Sequence, residues 1–131
     1  MTDGARPRVL LVDDNPGVLT ALERFLAPDC DVVGTVREGA AVCEASRRLQ
    51  PDVIVLDLNM PDVTGLEVCR QIAQTDPHAR VILLSGDVRA AIREEGLGAG
   101  ACAVIPKDQV TELLLPSIET ALRGRIGTGR P

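Results

Sequence analysis

At 131 residues the chain is the size of one domain, and a hydrophobic fraction of 45 % is enough to bury a core, an aliphatic one because Phe25 is the single aromatic residue. A net charge of −5 argues against a nucleic-acid surface. No apolar run approaches the roughly 18 residues that cross a bilayer, and the first eight residues do not read as a signal peptide.

Residues 8–12 (RVLLV) predict an apolar strand that ends on Asp13 and Asp14. Asn15 and Pro16 follow as an N-cap and a first-turn proline. Val18, Leu19, Leu22 and Leu26 then recur at helical spacing to about residue 28, with Phe25 beside that stripe. Residues 31–36 read as a short strand, and residues 39–49 as a helix with a mixed polar face. Residues 51–57 form the central strand, in which 53–56 are unbroken apolar and Asp57 closes the run. Such a run predicts burial on both faces, as in a parallel sheet covered by helices. Asn59, Met60 and Pro61 lead into a polar turn that ends at Gly65.

The spacing predicts a helix over residues 64–75, stopped by Asp76 and Pro77. Residues 80–84 are a fourth apolar strand ending on Ser85 and Gly86. A short helix is expected over residues 88–96, a glycine-rich turn over 97–100 and a last strand over 101–105, followed by Pro106, Lys107 and Asp108. The final helix is placed within residues 110–123, with Gly124 as its C-cap and residues 125–131 as a tail or linker. Five strands alternating with five helices imply an α/β fold, a single parallel sheet with helices on both faces and right-handed crossovers. Strand order is not readable from periodicity. Cys30, Cys43, Cys69 and Cys102 lack metal-type spacing, so free thiols in a reducing cytoplasm are expected.

Four of the five strands end in residues with chemical use: Asp13 and Asp14, Asp57, Ser85 and, one proline later, Lys107. Parallel strands place these ends on one edge, where open α/β sheets bind ligands. Taken singly, each residue is ordinary: an aspartate after a strand is a turn former or cap, and an exposed lysine is solvated. Their coincidence at one edge is not. Carboxylates gathered there repel one another and favour a hard divalent cation such as Mg²⁺. Ser85 and Lys107 suit phosphate oxygens, and Asp57 is then a carboxylate nucleophile able to form an aspartyl-phosphate. Asp62 and Asp76 read as helix caps, and His78 as a surface residue.

The segments VLLVDDNP, VIVLDLNMPDVTGLEV, VILLSG and GACAVIPKD, in this order, resemble the receiver domain of two-component response regulators over residues 7–124, leaving residues 1–6 and 125–131 as tails. The resemblance implies a flavodoxin-like fold with strand order 2-1-3-4-5. It implies that Asp57 accepts a phosphoryl group from a histidine kinase or a small phosphodonor. By position, Asp14, Asp57 and the backbone carbonyl of Asn59 would bind Mg²⁺, Asp13 would act through water, and Ser85 and Lys107 would contact the phosphoryl group. Gly86 would leave room for the donor. The partners implied are the kinase, a second copy of the chain, and an output domain (a DNA-binding one among the choices) that nothing in these residues encodes. Two other functions compete: a Mg²⁺-dependent aspartate-nucleophile phosphohydrolase, disfavoured because Asn59 is a poor acid or base, and a degenerate receiver acting as a scaffold.

Three positions depart from the family pattern. Val104 stands where an aromatic switch residue is common, Pro106 precedes the lysine, and Pro116 falls within the last helix, where it should kink the helix or mark its start. With no ring at Val104 to swing, segment 86–96 is expected to carry the signal by backbone movement, helped by glycines at 86, 96, 98 and 100.

Overall fold

A computed structural model describes residues 6–87 and 89–128, with the side chains of 124–128 outside that description. The five strands are β1 (Arg8–Val12), β2 (Asp31–Val36), β3 (Val53–Asp57), β4 (Arg80–Ser85) and β5 (Ala103–Pro106). They form one parallel sheet in the order β2-β1-β3-β4-β5. The helices are α1 (Pro16–Leu26), α2 (Val42–Leu49), α3 (Gly65–Thr75), α4 (Ala90–Gly98) and α5 (Val110–Thr128).

Side chains of a strand alternate between faces, so each central strand feeds two cores. Val9, Leu11, Val53 and Val55 join Leu22 and Leu26 of α1 and Leu114 and Ile118 of α5. Leu10, Val12, Ile54 and Leu56 join Val42 of α2 and Val68, Cys69 and Ile72 of α3. All five residues of β3 are buried, which is why that stretch lacks polar alternation. The four cysteines are free; Cys30 and Cys69 are buried, Cys43 is half-buried and Cys102 is exposed. Burial pushes the Cys30 and Cys69 thiols up to about 11.

Local signals set most boundaries. Asn15 Oδ1 accepts the Gly17 and Val18 N–H groups, and Pro16 opens α1. Thr64 Oγ1 accepts the Glu67 N–H at the start of α3. Pro106 sits at the end of the edge strand β5, opposite Ser85, where its missing N–H breaks no ladder on the outer side.

Several expectations are corrected. The second helix begins with a 3-10 turn, Gly39–Ala41, before α2. Val18 points outward at 38 % exposure while Leu19, Leu22 and Leu26 are buried. Helix α4 starts at Ala90 and runs through Gly96 and Gly98, and the turn follows with Gly100 at φ +113°. The cause is packing: a Cβ on Gly96 would lie 2.6 Å from Val104 Cγ2 and 3.0 Å from Leu83 Cδ1. Gly96 is therefore a contact point and not a flexible link. Pro116 lies inside α5, so of the two alternatives it does not mark the start, and the helix passes Gly124 instead of being capped there. Pro116 and Glu112 are both exposed, so water can serve the carbonyl that the proline leaves unpaired. Residues 1–5 of the N-terminal tail and 129–131 of the C-terminal tail lie outside the described residues.

Candidate functional site

Strands β1 and β3 are neighbours, so Asp13 and Asp57 emerge side by side at the carboxyl edge of the sheet. Carboxylate oxygens of Asp13, Asp14 and Asp57 lie within 4.8 Å of one another. Asp13 and Asp57 are buried, at 3 % and 2 % exposure, and Asp14 is exposed. Asp13 Oδ1 accepts the Asn15 N–H at 2.9 Å. Burial, and after it the neighbouring Asp57 and Asp14 charges, raise Asp13 above the ordinary carboxylate value, with the Asn15 bond and Lys107 opposing.

Asp57 is held from several sides. Its Oδ1 accepts the Asn59 N–H at 3.0 Å and faces Lys107 Nζ at 3.0 Å. Lys107 opens a 3-10 turn, Lys107–Gln109, directly after β5, which brings its ammonium across the neighbouring β4 to β3. The loop after Asp57 must close tightly, and Gly65 permits it. A Cβ there would meet the Asp57 carbonyl oxygen and Leu58 Cα, both at 2.7 Å. The chain thus needs glycine at Gly65 for close approach, the reason the turn ends on that residue.

Ser85 reaches the same edge and is fully buried. Its hydroxyl is turned to the chain that follows it, donating to the Asp87 carbonyl at 2.9 Å and accepting the Asp87 N–H at 3.0 Å. A Cβ on Gly86 would meet nothing within 4 Å, so the approach beside Ser85 is open.

Three features were not read from the sequence. A cleft of about 520 Å³ runs from the acidic cluster between α1 and α5, walled by Val18, Ala21, Leu22, Phe25 and Val110. The available signal for it was the width of the apolar pattern on α1, with Phe25 beside the stripe and Val18 at its margin. The second is Asp62, whose carboxylate accepts the Gly39 and Ala40 N–H groups, both at 3.1 Å. It does cap, as expected, but the turn it caps leads into α2 and not its own helix. The third is Arg89, which grips Asp87 through both carboxylate oxygens. Asp76 ends α3 and accepts the buried Ser46 hydroxyl of α2 at 2.7 Å, while His78 is exposed.

A doubly wound parallel sheet with carboxylates, a hydroxyl and an ammonium on one edge defines an α/β domain built to handle phosphoryl groups and a divalent cation. The family model of the response regulator receiver domain matches residues 9–119, and the chain belongs to that family. It is 37 % identical over 116 residues to the response regulator MprA of Mycobacterium leprae, an alignment covering 88 % of this chain and 51 % of that protein. It is 40 % identical over 107 residues to a protein-glutamate methylesterase/protein-glutamine glutaminase 2 of Methanospirillum hungatei, covering 76 % of this chain and 30 % of that protein. The chain therefore spans about half or less of the length of these two relatives. Among solved structures it is similar to the response regulator domain of Thermotoga maritima CheB, at 32 % identity and a TM-score of 0.83, covering 91 % of this chain and 98 % of that one. It also resembles the BeF3-activated DrrB receiver domain, at 28 % identity and a TM-score of 0.79, covering 91 % of this chain and 99 % of that one. As a receiver, this domain is a phosphorylation switch of two-component signalling, the reading favoured over the phosphohydrolase. No helix among the described residues is long and apolar enough to cross a membrane.

Proposed function

We propose that Asp57 is the phosphoacceptor of this receiver and that Asp13, Asp14, Asp57 and the Asn59 carbonyl form its Mg²⁺ site. The observation that carries the reading is the Asp57 carboxylate, buried at the end of β3, grouped with Asp13 and Asp14 and paired with Lys107 at 3.0 Å. The donor set fits Mg²⁺: it is all oxygen, it carries surplus negative charge, and Asp14 faces solvent, which leaves room for retained water. Bound Mg²⁺ would supply charge neutralisation for the phosphoryl oxygens.

The chain's own residues do the rest. The Lys107 and Asn59 contacts both fall on Asp57 Oδ1, which leaves Oδ2 to attack phosphorus. As that P–O bond forms, the P–N bond of a phosphohistidine breaks and its electron pair stays on the imidazole nitrogen. With an acyl phosphate the P–O bond breaks and a carboxylate leaves. Lys107 then pairs with a phosphoryl oxygen, and Ser85 donates to another once its hydroxyl turns from Asp87. Water attack on the aspartyl-phosphate later releases inorganic phosphate and restores Asp57.

The apolar cleft beside Asp57 supports a protein donor, because it offers Val18 and Phe25 on α1 to an incoming helix next to the reacting oxygen. A histidine kinase is the partner we assign to it. A domain running from residue 7 through α5, a cytoplasmic setting suited to four free thiols, and an output module outside these residues complete the reading. Incubation with Mg²⁺ and acetyl phosphate should add one phosphoryl group by intact mass. Equal labelling of Asp57→Asn would refute the assignment.

A further inference from the structure

The Ser85 hydroxyl has one proton, and that proton is committed to the Asp87 carbonyl at 2.9 Å. Ser85 cannot donate to a phosphoryl oxygen on Asp57 while that bond stands. What fixes the Asp87 backbone is its own side chain. The Asp87 carboxylate accepts the Arg89 backbone N–H at 3.0 Å, Arg89 Nε at 3.0 Å from each oxygen, and the Arg89 guanidinium again at 2.6 Å. Arg89 is the residue before α4: its carbonyl accepts the Ile92 and Arg93 N–H groups of the first turn, while its side chain makes no cap bond and is given to Asp87.

We propose that the Asp87–Arg89 pair is a latch that holds Ser85 turned away from the phosphoacceptor, making Asp87 and Arg89 positioning residues for phosphoryl transfer. The inference rests on the reading of Ser85 as a phosphoryl contact. The bonds from Arg89 also hold the Asp87 carboxyl below the usual range, so the pair stays charged at neutral pH. Arg89 is 77 % exposed and Asp87 31 % exposed, so water competes for the pair and the latch is weak enough to open. Opening frees the Ser85 proton for the phosphoryl group and releases the start of α4 in the same step.

An exposed bidentate pair biases such an equilibrium by about two- to fivefold. Arg89→Ala should therefore bind beryllofluoride, a phosphoryl mimic, about two- to fivefold more tightly in the presence of Mg²⁺, and Arg89→Lys should fall between it and the wild type. Loss of a positive charge alone would weaken binding of an anion, so the sign separates the two effects. The gain should vanish in the Ser85→Ala background, since no hydroxyl remains to be released. Unchanged or weaker binding by Arg89→Ala, or the same gain in the Ser85→Ala background, overturns the latch and leaves Ser85 its role. If Ser85→Ala alone binds beryllofluoride as the wild type does, the role of Ser85 fails and the latch with it. A preserved amide spectrum of each variant establishes that the fold is intact.

Discussion

Removing one carboxylate from the acidic cluster should stabilise the metal-free protein. Asp13 is 3 % exposed, and oxygens of Asp14 and Asp57 lie within 4.8 Å of it. Two charges at the 4.8 Å limit of this cluster repel by about 3.5 kcal/mol at an effective dielectric constant near 20, and closer ones by more. Solvent around Asp14 reduces its share, and the attraction of Asp13 to Lys107 offsets part of the rest. The raised protonation range of Asp13 has the same meaning: folding disfavours its ionised form at neutral pH. Asparagine keeps the oxygen that accepts the Asn15 N–H and drops the charge. A net gain of about 1–2 kcal/mol is expected for Asp13→Asn, or a rise in Tm of roughly 3–10 °C for a domain of this size. The assay is a far-ultraviolet circular dichroism melt in EDTA, because the chain has no Trp or Tyr for intrinsic fluorescence. Added Mg²⁺ should stabilise the wild type more than the variant, by mass action on a site the variant has weakened, so the two melting curves converge. A variant that melts below the wild type in EDTA would show that Asp13 is held by favourable contacts, and the cation-site argument would lose its basis.

Gly96→Ala should destabilise: the helix gains about 1 kcal/mol in propensity, while a methyl 2.6 Å from Val104 costs about 1–3 kcal/mol, and Val104→Ala should cancel the clash in the double variant. Gly96→Ala melting above the wild type would contradict the packing of α4 on β5. Asp62, whose ionised form is favoured by the Ala40 and Gly39 N–H groups, should titrate below 3.8 when followed through those two amides by NMR. Its stabilising bonds are then present above 3.8 and lost as pH falls through the lower folded value; a midpoint at or above 3.8 would refute them.

Most of the site was legible because buried parallel strands announce themselves as unbroken apolar runs, and a polar residue ending such a run has one place to go. Residues 9–12, 53–56 and 81–84 marked three strand ends in this way, and the end of β5 was found through Pro106 and Lys107. What the sequence hid depends on contacts made at a distance. Residues 97–100 read as a glycine-rich turn, yet α4 continues through Gly98, while Gly96 is set by close packing on Val104 and Leu83. Pro116 read as a kink or as the start of the last helix; it is not the start, and its place on an exposed face makes the lost hydrogen bond tolerable. The bonds between Ser85, Asp87 and Arg89 follow from the turn after β4, which no periodicity encodes.

Two features that read separately in the sequence are one feature in the fold. Val104 replaces the aromatic residue common in the family, and Gly96 sits eight positions earlier in α4. In space they touch: the volume that a side chain at Gly96 would fill is already taken by Val104 Cγ2. A helix resting by its backbone on a β-branched side chain has no gap into which a ring could swing, and Val104 has few rotamers to offer. The contact between α4 and β5 is instead a close one, helix backbone on the Val104 side chain. A change at the start of α4, where Arg89 meets Asp87, would therefore pass to β5 as a shift of the whole helix on Val104. With no ring at this position, the expected route across this face is a displacement of α4 on Val104 and not a side-chain rotation.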